Sequence, residues 1–293
     1  MKGLRRTLLR RIARHPGARV WGLLTPGSLW LLLFFFVPVG ILIVYSFMLR
    51  GTYGGVEAGA TLEHYRRFFD PLYLGILGRT FLLAFICTAI CLVLGYPMAW
   101  VIARSGRWKH LLLFLVVLPF WTSFLVRTYA MIFLLRDSGL VNSLLLQIGV
   151  IDEPLTLLYT PGAVMAGLVY GFLPFMVLPI FTSLEKLDQD LLEAAEVLGA
   201  RPAARFVRVI LPLSGPGVIA GCLLVFIPCV GAFLTPDLLG GARQFMIGNL
   251  IQNQFSAARN WPFGSAASTV LMLVVLLAVL GYLRVRNRVE ATS

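Results

Sequence analysis

The amino-acid sequence predicts an all-α membrane protein with six transmembrane helices. Hydrophobic residues make up 59% of the 293-residue chain and charged residues only 13%, whereas soluble domains carry roughly a quarter charged residues. The mean hydropathy is correspondingly high, at +0.86. Six apolar runs are also long enough, at about 1.5 Å per helical residue, to cross roughly 30 Å of hydrocarbon.

The six runs lie at residues 28–48, 79–103, 111–135, 161–183, 216–239 and 266–284. We expect the first run to be retained, because it is longer than a typical signal-peptide core and no small-x-small cleavage site follows it. The runs define one six-helix transmembrane domain over residues 28–284. A basic N-terminal tail (1–27) precedes this domain, and a short C-terminal tail (285–293) follows it.

The positions of the basic residues explain the charge and predict the topology. The formal net charge is +12, from 25 Lys and Arg against 13 Asp and Glu. Of the 25 basic residues, 17 lie before the first run, in 104–110, in 184–215 or after residue 283. This positive-inside distribution predicts that both termini and these two loops are cytoplasmic. Since topology accounts for the charge, we expect no nucleic-acid partner.

Proline and glycine indicate how the helices bend and pack. Each proline inside a run removes a backbone donor and tends to bend its helix. These residues are Pro38, Pro97, Pro119, Pro174, Pro179 and Pro228. The patterns Gly167-x-x-x-Gly171 and Gly217-x-x-x-Gly221 predict that the fourth and fifth helices approach their neighbours closely.

Residues that carry enzyme chemistry are scarce. Cys87, Cys91, Cys222 and Cys229 all lie in apolar runs without a C-x-x-C pair, and the three histidines are scattered, so we expect no metal site. The sequence has no phosphate-binding G-x-x-x-x-G-K-[ST] loop, zinc-protease motif or nucleophile elbow. We therefore expect a non-enzymatic chain without a cofactor of its own.

Charged residues inside the apolar runs are also few, and Arg127 and Asp237 are the clearest. A carrier driven by a proton or sodium gradient usually has more carboxylates within the membrane. The pattern therefore favours an energy source outside this chain. A stand-alone secondary transporter is the alternative.

The segment 184–215 is a polar interruption between the fourth and fifth runs. Asp190 and Glu193 have the spacing of a capping box, which predicts a short helix over 191–198. Gly199 suits the left-handed residue that follows a helix. Pro202 then suits the first turn of a second helix ending before Pro212.

The first of these two helices has a shallow apolar face. Leu191, Ala194, Ala195 and Leu198 recur at helical spacing. The basic second helix, with Arg201, Arg205 and Arg208, could instead lie on lipid. Because the first helix is acidic and too short to be stable alone, a protein partner is the better interpretation.

A family resemblance supports that interpretation. Glu193, Ala194, Ala195 and Gly199, followed by Val209-x-Leu211-Pro212, resemble the EAA loop of permease subunits of ATP-binding-cassette (ABC) importers; only the usual Ile is replaced, by Val209. The resemblance implies a type I ABC importer permease fold, in which this loop is the cytoplasmic coupling helix that docks on the ATPase. Glu193, Ala194, Ala195, Gly199, Leu211 and Pro212 are the implied coupling residues.

Other segments resemble one branch of this family. "PFWTSFLVRTYA" (119–130), "GLVN" (139–142) and the motifs within 236–266 look like the permeases for spermidine and putrescine. Branches that import opine-like compounds or ferric iron share parts of these patterns, so those substrates are alternatives.

The resemblance also implies the partners. The chain would form half of a translocation pathway with a second permease, either a similar chain or a copy of itself. Two cytoplasmic ATPase subunits would bind ATP and Mg, and a substrate-binding protein would dock from outside. The expected location is the bacterial cytoplasmic (inner) membrane, where membrane lipid surrounds the chain.

A cationic amine would need carboxylates and aromatic faces along its pathway. The candidates are Asp237, Trp121, Tyr129 and Tyr170, although interfacial aromatic belts and helix capping also account for such residues. We expect Arg127 to pair with a carboxylate or a helix C-terminus. The segment 253–266, with Asn253, Gln254, Trp261 and Phe263, is expected to be a gate, a docking surface or simply a helix–turn–helix.

Overall fold

The chain folds into long apolar helices joined by short ones. The computed structural model describes residues 16–241 and 244–290. Its principal helices are α1 (Pro16–Phe47), α2 (Glu63–Phe68), α3 (Pro71–Arg104), α4 (Lys109–Val117), α5 (Phe124–Leu135), α6 (Leu140–Gln147), α7 (Pro161–Glu185), α8 (Gln189–Val197), α9 (Pro202–Arg205), α10 (Leu211–Leu213), α11 (Gly215–Val230), α12 (Leu234–Gly240), α13 (Ile247–Phe255) and α14 (Trp261–Glu290). Strands β1 (Leu49–Arg50) and β2 (Val56–Glu57) form a small antiparallel hairpin.

The described helices confirm the predicted membrane architecture. Among the described residues, five stretches are long and apolar enough to cross a membrane, and a sixth is counted if the bent pair Pro202–Leu213 and Gly215–Val230 forms one span. The first, second, fourth and sixth predicted runs correspond to Leu24–Phe47, Pro71–Arg104, Pro161–Glu185 and Trp261–Tyr282. The basic tail before residue 16 lies outside the described residues.

The third predicted span, 111–135, is not one helix. The chain passes from α4 into a 3₁₀ turn at Leu118–Trp121, becomes extended at Thr122, and resumes helix in α5. Pro119 lies in that turn and has no N–H to continue the α-helical ladder. The membrane-length apolar stretch is instead Phe124–Gln147, which combines α5 and α6.

The fifth predicted span, 216–239, is also interrupted. Helix α11 ends at Val230, and the chain resumes helix at Leu234 in α12. On its other side, α11 makes an angle of 63° with the helical stretch Pro202–Leu213. The predicted single span is therefore a helix with bent ends.

Contacts divide the chain into two compact units. In the unit that comprises residues up to Phe68 and those from Gln254, α14 packs against α1 and α2. The guanidinium of Arg67 lies 4.9 Å from the ring centroid of Phe263. Gly54 has φ +92°, and a Cβ there would lie 2.6 Å from the Cβ of Arg259, so only glycine fits this contact.

In the unit that comprises Phe69–Asn253, α3, α7 and α11 pack together. The glycine patterns lie at these contacts, as predicted. A Cβ on Gly221 would lie 2.8 Å from the sulfur of Met176, and one on Gly217 would lie 2.5 Å from the carbonyl oxygen of Pro179. Cys87, Cys91 and Cys229 are fully buried in the same unit, which agrees with their interpretation as small buried residues.

We predict that Gly217→Ala lowers the free energy of unfolding by about 1–3 kcal/mol, because the new methyl group meets a backbone carbonyl that cannot move freely. The measurement is thermal unfolding of the purified chain in detergent. Gly78→Ala is the matched control, since a Cβ at Gly78 has nothing within 4 Å. Equal unfolding temperatures for both variants would contradict the close packing of α7 and α11.

Candidate functional site

The polar segment 184–215 is the first candidate site, and its opening helix is held by a side-chain cap. The side chain of Asp188 accepts a hydrogen bond of 3.0 Å from the backbone N–H of Asp190, and α8 begins at Gln189. The predicted capping box of Asp190 and Glu193 is therefore wrong. Asp188 can take the cap position because it has an extended backbone (φ −67°, ψ 123°), whereas Asp190 is already helical.

The end of α8 has the predicted glycine. Gly199 has φ +78°, a left-handed conformation that costs glycine little. Its N–H donates to Glu196 O at 2.9 Å, and the N–H of Ala200 donates to Ala195 O at 3.0 Å. This pair of bonds is a Schellman motif, which fixes where the helix stops.

The predicted apolar face of α8 is largely open to solvent in the single chain. Leu198 is 86% exposed, and Leu191 and Ala194 are also exposed. Leu192, one position away and about 100° around the helix, is only 7% exposed. Val197, at 88% exposure, extends the open face beyond the predicted residues. Exposed apolar side chains that neighbour one another are typical of a surface that another molecule covers.

The second half of the segment does not end where predicted. Helix α9 is followed by a π-helix at Phe206–Ile210 and then by α10. Pro212 lies in the first turn of α10, a position that needs no N–H donor. The break comes instead at Ser214, whose Oγ donates to Leu211 O at 3.1 Å.

One ion pair within this segment and two ring contacts with α3 hold the segment, and the sequence analysis predicted none of the three. Arg205 Nη1 lies 2.6 Å from Glu196 Oε2. The ring of Phe206 meets those of Tyr96 and Trp100 edge to face, at centroid distances of 5.6 and 5.9 Å. The only available signal was the i, i+4 spacing of the two α3 aromatics, which places them on one helix face.

The second candidate site is the predicted amine pathway. Trp121 is 75% exposed and packs edge to face against Phe114, and Tyr129 is also exposed. Asp237 is exposed in the first turn of α12. Tyr170 is different, because the guanidinium of Arg127 lies 6.0 Å from its ring centroid. A second cation near that ring would meet a positive charge, so the physical case for Trp121 and Tyr129 is stronger.

Within the described part of the chain, Arg127 does not have the acidic or helix-terminal partner that we expected. Its guanidinium lies 4.7 and 5.5 Å from the ring centroids of Phe120 and Phe124. Its Nε and Nη1 are buried and have no hydrogen-bond partner among the described residues. The side chain is therefore held by aromatic faces, an arrangement that cation–π attraction favours.

A pocket of about 600 Å³ borders Tyr170 and Pro119. Apart from Tyr170, its lining is entirely aliphatic side chains and prolines from α3, α4, the turn after α4, and α7. It offers no carboxylate to an amine, so it does not add to the candidate pathway.

The "GLVN" segment has a structural role. Asn142 is fully buried and its side chain donates to the carbonyl oxygens of Arg136 and Leu155, while accepting from the N–H of Leu155. It therefore ties together the connection between α5 and α7. The segment 253–266 contains the turn between α13 and α14, which agrees with the helix–turn–helix alternative; its roles as a gate or docking surface stay predictions.

Comparisons with known proteins agree on one family. The family described as "Binding-protein-dependent transport system inner membrane component" matches residues 91–288. The chain is 48% identical over 256 residues to the spermidine/putrescine transport system permease protein PotB of Escherichia coli (strain K12), across 87% of this chain and 93% of that protein. It is 44% identical to PotB of Haemophilus influenzae, across 87% and 90%.

A solved structure has the same fold. The bacterial alginate ABC transporter, in complex with an alginate pentasaccharide-bound periplasmic protein, includes a chain that matches with a TM-score of 0.70 at 20% identity. The match covers 96% of this chain and 98% of that one.

We predict that Asp188→Ala destabilises α8 while Asp190→Ala does not, because only Asp188 caps the helix. Loss of an N-cap costs about 0.5–2 kcal/mol, which corresponds to roughly two- to thirtyfold faster local opening. Hydrogen exchange at the amides of residues 190–198 measures this rate. Faster exchange in Asp190→Ala than in Asp188→Ala would contradict the assignment of the cap.

Proposed function

The chain belongs to the family of binding-protein-dependent transport system inner membrane components, and from that premise we propose that it is a permease subunit for spermidine and putrescine. It forms half of the translocation pathway of an ATP-driven ABC importer. It binds no ATP itself, and a partner ATPase hydrolyses the nucleotide.

The observation that carries the substrate class is the similarity to the two PotB proteins, at 48% and 44% identity across most of each chain. The match spans both candidate sites, which are the 184–215 segment and the aromatic residues Trp121, Tyr129 and Tyr170. Spermidine and putrescine are polyamines that carry several positive charges at neutral pH, so their path requires faces that tolerate cations.

We infer the assembly from the family to which the chain belongs, and the exposed face of α8 supports one part of it. The exposed face of α8, with Leu191, Ala194 and Leu198, is the docking surface for one of two cytoplasmic ATPase subunits. Glu193 and Gly199 shape this surface, and Leu211 and Pro212 join it to α11. A second permease, either a similar chain or a copy of this one, completes the pathway, and a substrate-binding protein delivers the amine from outside.

The topology follows from the same arrangement. Both termini and the 184–215 segment lie in the cytoplasm, in agreement with the distribution of basic residues. The connection between α5 and α7 then lies on the outer side, where Asp237 at the start of α12 and the aromatic rings of Trp121 and Tyr129 form the amine path. Each amine–ring contact contributes about 0.5–2 kcal/mol.

We predict that spermidine and putrescine stimulate ATP hydrolysis by the complete transporter in the presence of its binding protein, because loaded binding protein triggers the ATPase cycle. The measurement is phosphate release in proteoliposomes, with ferric iron and an opine as comparison substrates. If only ferric iron or only the opine stimulates hydrolysis, that compound is the substrate and the polyamine proposal is wrong. Uptake by this chain alone, abolished by a proton ionophore, would indicate a secondary carrier.

We predict that Glu193→Lys and Gly199→Asp leave membrane insertion intact but detach or uncouple the ATPase. A reversed charge, or a side chain in the left-handed position, disturbs the docked helix. Copurification of the ATPase and spermidine uptake are the two measurements. Glu153→Lys is the matched charge reversal on an exposed residue of the α6–α7 connection. Normal ATP-driven uptake in both α8 variants would refute the docking assignment.

A further inference from the structure

The α8 helix is joined to the next helical stretch through one ion pair. Glu196, in the last turn of α8, contacts Arg205 at the end of α9 with a separation of 2.6 Å. The Arg205 side chain is 20% exposed, whereas that of Glu196 is 70% exposed, so the pair joins the surface of α8 to a half-buried residue of α9. A displacement of α8 therefore reaches Arg205 directly.

Phe206 follows Arg205 immediately and contacts a different element. Its ring lies edge to face on Tyr96 and on Trp100, with interplanar angles of 86° and 90°. Two consecutive residues thus connect α8 to α3. The π-helix begins at Phe206, and π-helical turns are rare and occur frequently at functional sites.

The chain just beyond the π-helix and α10 contacts the same residue of α3. The hydroxyl groups of Tyr96 and Ser214 are 2.9 Å apart and buried. Because Ser214 donates its own proton to Leu211 O, Tyr96 is the donor. Residues 206 and 214 therefore hold the stretch between them against α3 at both of its ends.

The contact point on α3 is one where the helix can bend. Pro97 follows Tyr96 and lies inside α3, so one hydrogen bond of the helical ladder is missing there. Trp100 is also held from another side by Arg104, whose guanidinium lies 4.2 Å from its ring centroid. The three rings of Tyr96, Trp100 and Phe206 form what we call the aromatic link.

We propose that the aromatic link transmits the movement of α8 to the cytoplasmic part of α3, so that Tyr96, Trp100 and Phe206 are positioning residues for transport. This inference rests on the proposed function, because it takes α8 to be the helix that the ATPase moves. In the absence of the link, nucleotide hydrolysis moves α8 without moving α3 to the same extent.

The test compares Phe206→Ala with Phe206→Tyr in the complete transporter, reconstituted with its ATPase, second permease and binding protein. Phe206→Ala retains basal ATP hydrolysis, but spermidine moved per ATP falls by about fivefold or more, the size of a typical coupling between sites. Phe206→Tyr keeps the ring and restores coupling. Tyr96→Phe removes only the hydroxyl group, so the spermidine that it moves per ATP lies between the values of the two Phe206 variants.

The matched control is Phe226→Ala, which removes a ring that contacts Phe81 at 5.9 Å in the same unit but belongs to no link with α8. Unchanged transport per ATP in Phe206→Ala, or an equal loss in Phe226→Ala, would overturn the proposal. If the Phe206→Ala transporter does not assemble, spermidine moved per ATP in the Tyr96→Phe variant still tests the proposal.

A second readout does not depend on the substrate. Spin labels at position 190, an exposed site of α8 outside the docking face, and position 101 of α3, with the native cysteines replaced, report the distance between the two helices. With the link intact, this distance stays in one narrow distribution when ATP binds, and in Phe206→Ala it broadens or shifts. A wild-type complex that fails to transport spermidine rejects the proposed function, whereas an unchanged distance in Phe206→Ala rejects the link.

Discussion

The rest of this structure depends on one constraint, which is that backbone N–H and C=O groups in hydrocarbon must be paired within the protein. Long helices satisfy it on their own, and the breaks in this bundle satisfy it through side chains. Thr122 Oγ1 donates to Pro119 O at 2.7 Å after the 3₁₀ turn. Asn249 donates to Phe233 O at 2.7 Å, beside the break between α11 and α12, and Thr80 Oγ1 accepts from the N–H of Ile247 at 2.9 Å. At these breaks, side chains pair backbone groups that the helical ladder leaves free.

The same constraint explains what the sequence could predict. An apolar run of about 20 residues has one stable form in a membrane, so the spans built on α1, α3, α7 and α14 follow from composition. The positions of the breaks do not follow from composition, because one proline within an apolar run interrupts its helix and another does not. Pro97 lies inside an unbroken helix and Pro119 lies in a break. The difference lies in the backbone that follows each proline, which is extended at Thr122 but stays helical after Pro97.

The 184–215 segment shows a similar division. Gly199 was predictable because a helix end that requires positive φ selects glycine. The residue that caps α8 was not predictable, because Asp188 and Asp190 are chemically equivalent and only backbone geometry selects one of them. The contacts of Phe206 with Tyr96 and Trp100 join residues more than a hundred positions apart, and no local pattern encodes such a pairing. Likewise, Arg127 as a lone membrane cation suggested a carboxylate partner, whereas three aromatic rings surround it instead.

The central claim of this account is that the chain receives its energy at the exposed face of α8. The most direct measurement is photo-crosslinking from a benzophenone amino acid placed at Leu198, with placement at the buried Leu192 as the comparison, in the assembled transporter. The account predicts a covalent product between position 198 and the ATPase subunit, and none from position 192. Crosslinks from position 198 only to lipid or to another membrane subunit would contradict it.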